Sequence, residues 1–160
     1  MAVDMFLKLE GIEGESRDRE HGNEIDILAW SWGLSQSGSA HIGGGIGAGK
    51  ANFQDISCTK YIEKSSPDLM LCCANGKHIA KAELYVRKAG EKPLTYLIIK
   101  MDDVMVTSIS TGGSGGEDRL TENLTLNFAK VGVYYKEQKK DGSVGATPQM
   151  IFNIAENASD

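Results

Sequence analysis

No apolar stretch in the 160-residue chain approaches the length that crosses a bilayer. The N-terminus also lacks the basic start and unbroken apolar core of a secretory signal, because Asp4 and Lys8 interrupt Met1-Ala-Val-Asp-Met-Phe-Leu-Lys-Leu-Glu. The expectation is a chain that folds in the cytoplasm and does not insert into membranes. If it leaves the cell, it does so without a cleavable signal peptide. Cysteine is scarce as well. Cys58, Cys72 and Cys73 are odd in number with two adjacent, which suits buried small hydrophobes rather than a disulfide framework. His21, His41 and His78 are scattered, with no Cys or His at ligand spacing, so neither metal nor cofactor is expected. Basic residues are outnumbered, 17 against 22 acidic, for a formal charge of -5. That balance argues against nucleic acid, whose binders need a basic face to displace counterions. The hydrophobic fraction of 41% is ordinary, and no linker or internal repeat divides the chain, so residues 1–160 read as one domain.

What is present is period-two alternation, the mark of half-buried strands. Ala82, Leu84 and Val86 share one face while Lys81, Glu83, Tyr85 and Arg87 share the other. Leu124, Leu126 and Phe128 alternate with Asn123, Thr125 and Asn127; beyond Phe128 the apolar set moves to Ala129, Val131, Val133 and Tyr135. A one-residue shift of this kind predicts a β-bulge in a long bent strand. Further strands are expected near 3–9, 25–33, 51–60, 94–101, 103–110 and 148–154. One helix interrupts them. Ser66-Pro67-Asp68 supplies an N-cap, a first helical proline and an acid at the positive end of the dipole, and Gly76 supplies the left-handed stop. Glycine accounts for 19 residues, concentrated at 38–49 and in Gly112-Gly-Ser114-Gly-Gly116. The first loop exceeds what a hairpin needs, and long loops on compact domains are often functional.

Three apparent motifs carry no chemistry. Gly44-Gly-Ile-Gly-Ala-Gly49-Lys50 fits the first seven positions of a phosphate-binding loop, but Ala51 stands where a hydroxyl should hold magnesium. The segment 51–57 alternates like a strand instead of opening a helix toward the phosphates. Ser114 formally occupies a nucleophile elbow, yet a strand comes after it and no histidine lies downstream. Trp30 and Trp32, two apart on one strand, read as core or interface packing; the alternative is a stacking platform in a carbohydrate- or peptide-binding β-sandwich. The acid pairs Asp102-Asp103 and Glu117-Asp118 point to opposite faces, so neither is an acid–base dyad. No catalytic residue is expected.

Three segments carry a more specific signal. They are Asp26-Ile-Leu-Ala-Trp-Ser-Trp-Gly-Leu-Ser-Gln-Ser-Gly-Ser39, Thr59-Lys-Tyr-Ile-Glu-Lys-Ser-Ser-Pro67, and Ser110-Thr-Gly-Gly-Ser-Gly-Gly-Glu-Asp-Arg-Leu-Thr-Glu-Asn-Leu-Thr-Leu-Asn-Phe128. In wording, order and spacing they resemble the haemolysin-coregulated protein (Hcp) family of type VI secretion, over nearly the whole chain and least over 138–160. The resemblance implies a mainly β fold, a β-barrel-like pair of antiparallel sheets with one short flanking α-helix. It implies a structural tube subunit rather than an enzyme: a homo-hexameric ring that stacks into a tube and is expelled by a contractile sheath. Effector proteins, the sheath and tip-spike proteins would be its partners, and effectors could travel in the ring lumen. A chain of this length is roughly 39 Å across, so six in a ring leave a hole of about 40 Å. By the same resemblance Ser31 is expected on the pore wall, although simple alternation sets it beside Ile25, Ile27 and Ala29. Gly43, Gly44, Gly45, Ile46 and Gly47 are expected to contact neighbouring copies or the next ring, and Glu117, Asp118 and Arg119 to pair across subunits.

Overall fold

The computed structural model describes residues 3–38, 50–90 and 92–159. Among the described residues the chain runs β1 (Val3–Leu9), β2 (Ile25–Ser31), β3 (Leu34–Ser35), β4 (Asn52–Phe53), β5 (Ile56–Tyr61), α1 (Ser66–Asn75), β6 (Ile79–Lys88), β7 (Leu94–Thr111), β8 (Thr121–Tyr135), β9 (Gln149–Asn153) and β10 (Ala158–Ser159). The main sheet has the order β10-β9-β8-β5-β2-β1-β6-β7, and β7 pairs back onto β8 to close a barrel. All its pairings are antiparallel. β3 and β4 form a separate small ribbon.

Two unusually long strands explain the shape. β7 has 18 residues and β8 has 15, where about 5–6 is typical. The first part of β8 pairs β5 and the later part pairs β9. β7 pairs β6 up to Val104 and β8 along almost its whole length. The barrel thus splits into two halves. One, here called the wall, comprises β2, β5, the start of β8 and the end of β7. The other comprises β1, β6, the start of β7, the end of β8, and β9.

Where the halves meet, Asp103 takes a left-handed backbone at φ 53°. Opposite it, the Ala129 carbonyl accepts from the Ile154 and Ala155 amides at 2.8 and 3.2 Å. The buried set changes parity there, from Leu124, Leu126 and Phe128 to Val131, as the alternation predicts. Register survives the bend, with Asp102↔Lys130 on one side and Val104↔Phe128 on the other. The two strands expected over 94–101 and 103–110 are therefore one bent strand.

Cross-strand rows fill the interior. Leu7, Leu84 and Ile99 lie in register on β1, β6 and β7; Ile56, Leu126 and Val106 do so on β5, β8 and β7. All are nearly inaccessible, and each such side chain contributes about 1.5–3 kcal/mol of burial. Helix α1 packs on β7, with Leu69 and Cys72 inward. Pro67 and Asp68 occupy its first turn, and Gly76 ends it at φ 72° with its amide on the Cys72 carbonyl. The cap is Ser65 rather than the expected Ser66, because the Ser66 hydroxyl is taken by a buried carboxylate. All three cysteines are free, and burial pushes the Cys58 thiol up to about 12.

Candidate functional site

The outward face of the wall is set by strand register. Ser31, Ser57, Thr125 and Ser108 stand in one row across β2, β5, β8 and β7. Ala29, Thr59, Asn123 and Ser110 form the next row. Every member is small or neutral. Their polar groups bond one another: Thr59 Oγ1 donates to Asn123 Oδ1 at 2.9 Å, and the Ser108 and Thr125 hydroxyls meet at 2.5 Å. This face is a hydroxyl surface with no charge and no large apolar side chain in either row.

Ser31 belongs to this face, which corrects the plain alternation. Register slips between Ile27 and Ala29, so Leu28 is an extra residue on β2. Ile25 and Ile27 remain buried, whereas Ala29 and Ser31 turn outward. The same slip turns Trp30 and Trp32 inward. Both pack against the core; Trp32 Nε1 donates to the Gln54 carbonyl at 2.9 Å, and its ring lies beside Phe53 and Phe128. These indoles are spent on packing and do not make a sugar-stacking platform.

At the Asp26 end of the wall, a cleft of about 330 Å³ is lined by Glu15, Arg17, Asp26, Tyr61, Glu63 and Arg119. The Arg119 guanidinium lies 3.7 Å from the centre of the Tyr61 ring, a cation–π contact within the chain. Glu63 Oε2 accepts from the Glu15 amide at 2.7 Å, and Glu15 Oε2 from the Lys64 amide at 2.6 Å. Burial raises the Asp26 carboxyl above its ordinary value; a hydrogen bond from Ser16 opposes that, and Glu63 adds to it. Glu117 and Asp118 are exposed on the β7–β8 loop, where the Glu117 amide bonds the Ser114 carbonyl at 3.1 Å. Gly43, Gly44, Gly45, Ile46 and Gly47 lie outside the described residues.

Behind the cleft, the interior holds a charged pair that sequence reasoning missed. Lys60 and Glu122 are both fully buried and bonded to each other. Lys60 Nζ also donates to the Tyr61 carbonyl at 2.9 Å and to Ser66 Oγ at 3.2 Å, and Ser66 Oγ donates to Glu122 Oε2 at 2.5 Å. Parity held the signal: Lys60 shares the side of Ile56 and Cys58, and Glu122 that of Leu124 and Leu126. This network ties β5, β8 and the start of α1 together beneath the wall.

A second cationic hub fixes loop 10–24. Arg87 donates to both oxygens of Asp18 at 3.0 and 2.7 Å and to Asp4 at 3.1 Å, and sits over the Phe6 ring. That guanidinium holds the Asp18 carboxyl below its ordinary value. The geometry as a whole offers surfaces and anchors. Asp55, the charge beside the hydroxyl rows, is fully engaged by Thr107 and Asn127 at 2.8 Å each.

The family described as "Type VI secretion system effector, Hcp" matches residues 6–135. The chain is 60% identical to the protein named hcp1 of Pseudomonas aeruginosa over 159 residues, 98% of each chain. Among solved structures it resembles Hcp1 from Salmonella typhimurium (37% identity, TM-score 0.84, all of both chains). A type six secretion system protein matches at 25% identity and TM-score 0.92, covering 99% of this chain and 100% of that one. A type VI secretion system effector from Yersinia pestis matches at 37% identity and TM-score 0.77, covering 94% and 99%.

Proposed function

Since the chain belongs to the Hcp family and is a type VI secretion tube protein, we propose that six copies close into a ring whose bore is lined by the hydroxyl wall. The observation that carries this reading is the state of the wall's edges. β1 pairs β2 only at Ile25 and Asp26, so among the described residues no strand covers that edge of β2 from Ile27 to Ser31. β6 leaves β7 after Val104, so the matching edge of β7 is equally open. Bare edges recruit strands from other chains.

The strand senses alternate through β2, β5, β8 and β7, so β7 of one copy meets β2 of the next antiparallel. Repetition by rotation then closes without a defect. Six walls of four strands at about 4.8 Å spacing give a circumference of about 115 Å and a backbone bore of about 37 Å. Such a bore admits a small folded effector. Its neutral, self-bonded hydroxyls would hold cargo weakly enough to release it. Rings stacked along the axis form the tube, with sheath, tip-spike and effector proteins as partners. Export proceeds without a cleavable signal, and the chain's role is structural and not catalytic.

Light scattering and negative-stain images of the same fraction test this. A mass of six subunits with open rings is expected, and Ser31→Trp should keep that mass while changing cargo retention. A monomer at every concentration, without rings, would overturn the reading.

A further inference from the structure

The two ends of the wall are chemically unlike. At one end β2, β5, β8 and β7 present Asp26, Tyr61, Thr121 and Thr111; at the other they present Ser31, Ile56, Leu126 and Val106. The first end holds the cleft with three carboxylates, Glu15, Asp26 and Glu63, against two guanidiniums. Most of these groups are occupied. Glu15 and Glu63 accept backbone amides, and Arg119 covers Tyr61. Asp26 differs: among the described residues no cation lies within ion-pairing distance of it.

From the second end the chain departs through residues 36–53, which contain one formally charged side chain, Lys50. Lys50 is exposed, two residues before β4, and has no ion pair among the described residues. The nearby Asp55 cannot serve as its counterion without giving up Thr107 and Asn127. Each end therefore carries one uncompensated charge, and the two are opposite in sign.

A closed ring can grow along its axis by placing one end of its wall against the opposite end of the next, a heterologous contact that repeats without limit. We propose that Lys50 of one copy enters the Asp26 cleft of a copy in the adjoining ring, which fixes the head-to-tail polarity of the stack. This rests on the ring reading above. A lysine suits the task, because its ammonium is a compact charge on a long flexible stem that reaches across a junction. Each junction repeats the contact around the ring, so weak individual pairs add through multivalency. Backbone pairing closes each ring and is insensitive to salt, whereas this contact is screened by it. Stacks should dissolve into intact rings as ionic strength rises.

Disulfide trapping tests the contact directly. Full-length D26C/K50C protein is first confirmed by light scattering to retain the mass of the wild-type ring, then oxidised and run without reductant. Bands beyond six subunits are expected, because only links between rings exceed that size; a ladder ending at six or fewer overturns the proposal. K50E, on an exposed side chain, keeps the fold in play if the cysteine variant fails to assemble. It should lower the yield of stacked rings about tenfold or more at low salt, and D26K/K50E should restore it. Unchanged stacking in K50E, or no recovery in the double variant, also overturns the proposal. A wild-type protein that gives no ring at all fails the preceding reading instead, and light scattering separates that case.

Discussion

Replacing Lys60 by methionine takes the cation from a pair in which both side chains are 0% exposed. Breaking a buried pair from one side typically costs about 3–5 kcal/mol, because the remaining charge is stranded. The two sides are not equivalent here. Without Lys60, Glu122 keeps only the Ser66 hydroxyl, and its Oε1 already lacks a partner. Lys60→Met should therefore fall near the upper figure, about 5 kcal/mol. Without the Glu122 charge, Lys60 keeps the Tyr61 carbonyl at 2.9 Å, Ser66 Oγ at 3.2 Å and Glu63 at 3.9 Å. Glu122→Gln should fall near the lower figure, about 3 kcal/mol. The double change K60M/E122L removes both charges and should return to within about 1 kcal/mol of the wild type, or exceed it. Urea unfolding at one fixed subunit concentration reads this out, since assembly shifts apparent stability. With a slope of about 2 kcal/mol per molar, the single variants should lose about 2.5 M and 1.5 M of midpoint. A Glu122→Gln cost equal to or above that of Lys60→Met would refute the reasoning, as would either cost below about 1 kcal/mol.

Gly14→Ala should destabilise by about 1–3 kcal/mol in the same assay, because its Cβ would fall 2.5 Å from the Glu24 carbonyl and 2.7 Å from Ile25 Cγ1. Gly115→Ala, with open space around it, should change stability by less than about 0.5 kcal/mol. Asp103→Val forces a β-branched residue into φ 53° and should cost about 1–2 kcal/mol, measured against Asp103→Gly. Asp18, held low chiefly by its hydrogen bond from Arg87, gives stability that is complete above the ordinary carboxylate value and is lost as pH falls through its depressed one. Amide exchange at Ser16 and Asn23, whose N–H groups close loop 10–24, should accelerate first in acid, and Arg87→Leu should abolish that step.

Alternation revealed the strands because the barrel has one wet and one dry face along most of its length. The helix was legible because Pro67, Asp68 and Gly76 each have a local backbone reason to be there. The face of Ser31 was not legible. One extra residue at Leu28 reverses parity, and an insertion of that kind leaves no mark in composition. Lys60 and Glu122 were hidden for a different reason. A charge within a strand reads as an outward residue until its partner, 62 positions away, is known to lie opposite. The bend at Asp103 was visible in the β8 pattern, but its continuity through β7 depended on pairing between strands.

The long strands that serve both halves of the barrel also set its mechanical behaviour. β7 and β8 stay in register from Leu97↔Tyr135 to Thr111↔Glu122, across the bend. Ladder hydrogen bonds lie perpendicular to antiparallel strands. A force along these strands strains many rungs in parallel, as shear, while a force across them would open the ladder rung by rung. A barrel made of separate short strands would pass load between its halves through side chains and loops. Here a push on one end of the molecule is carried to the other by covalent chain, stiffened along its length by its neighbour.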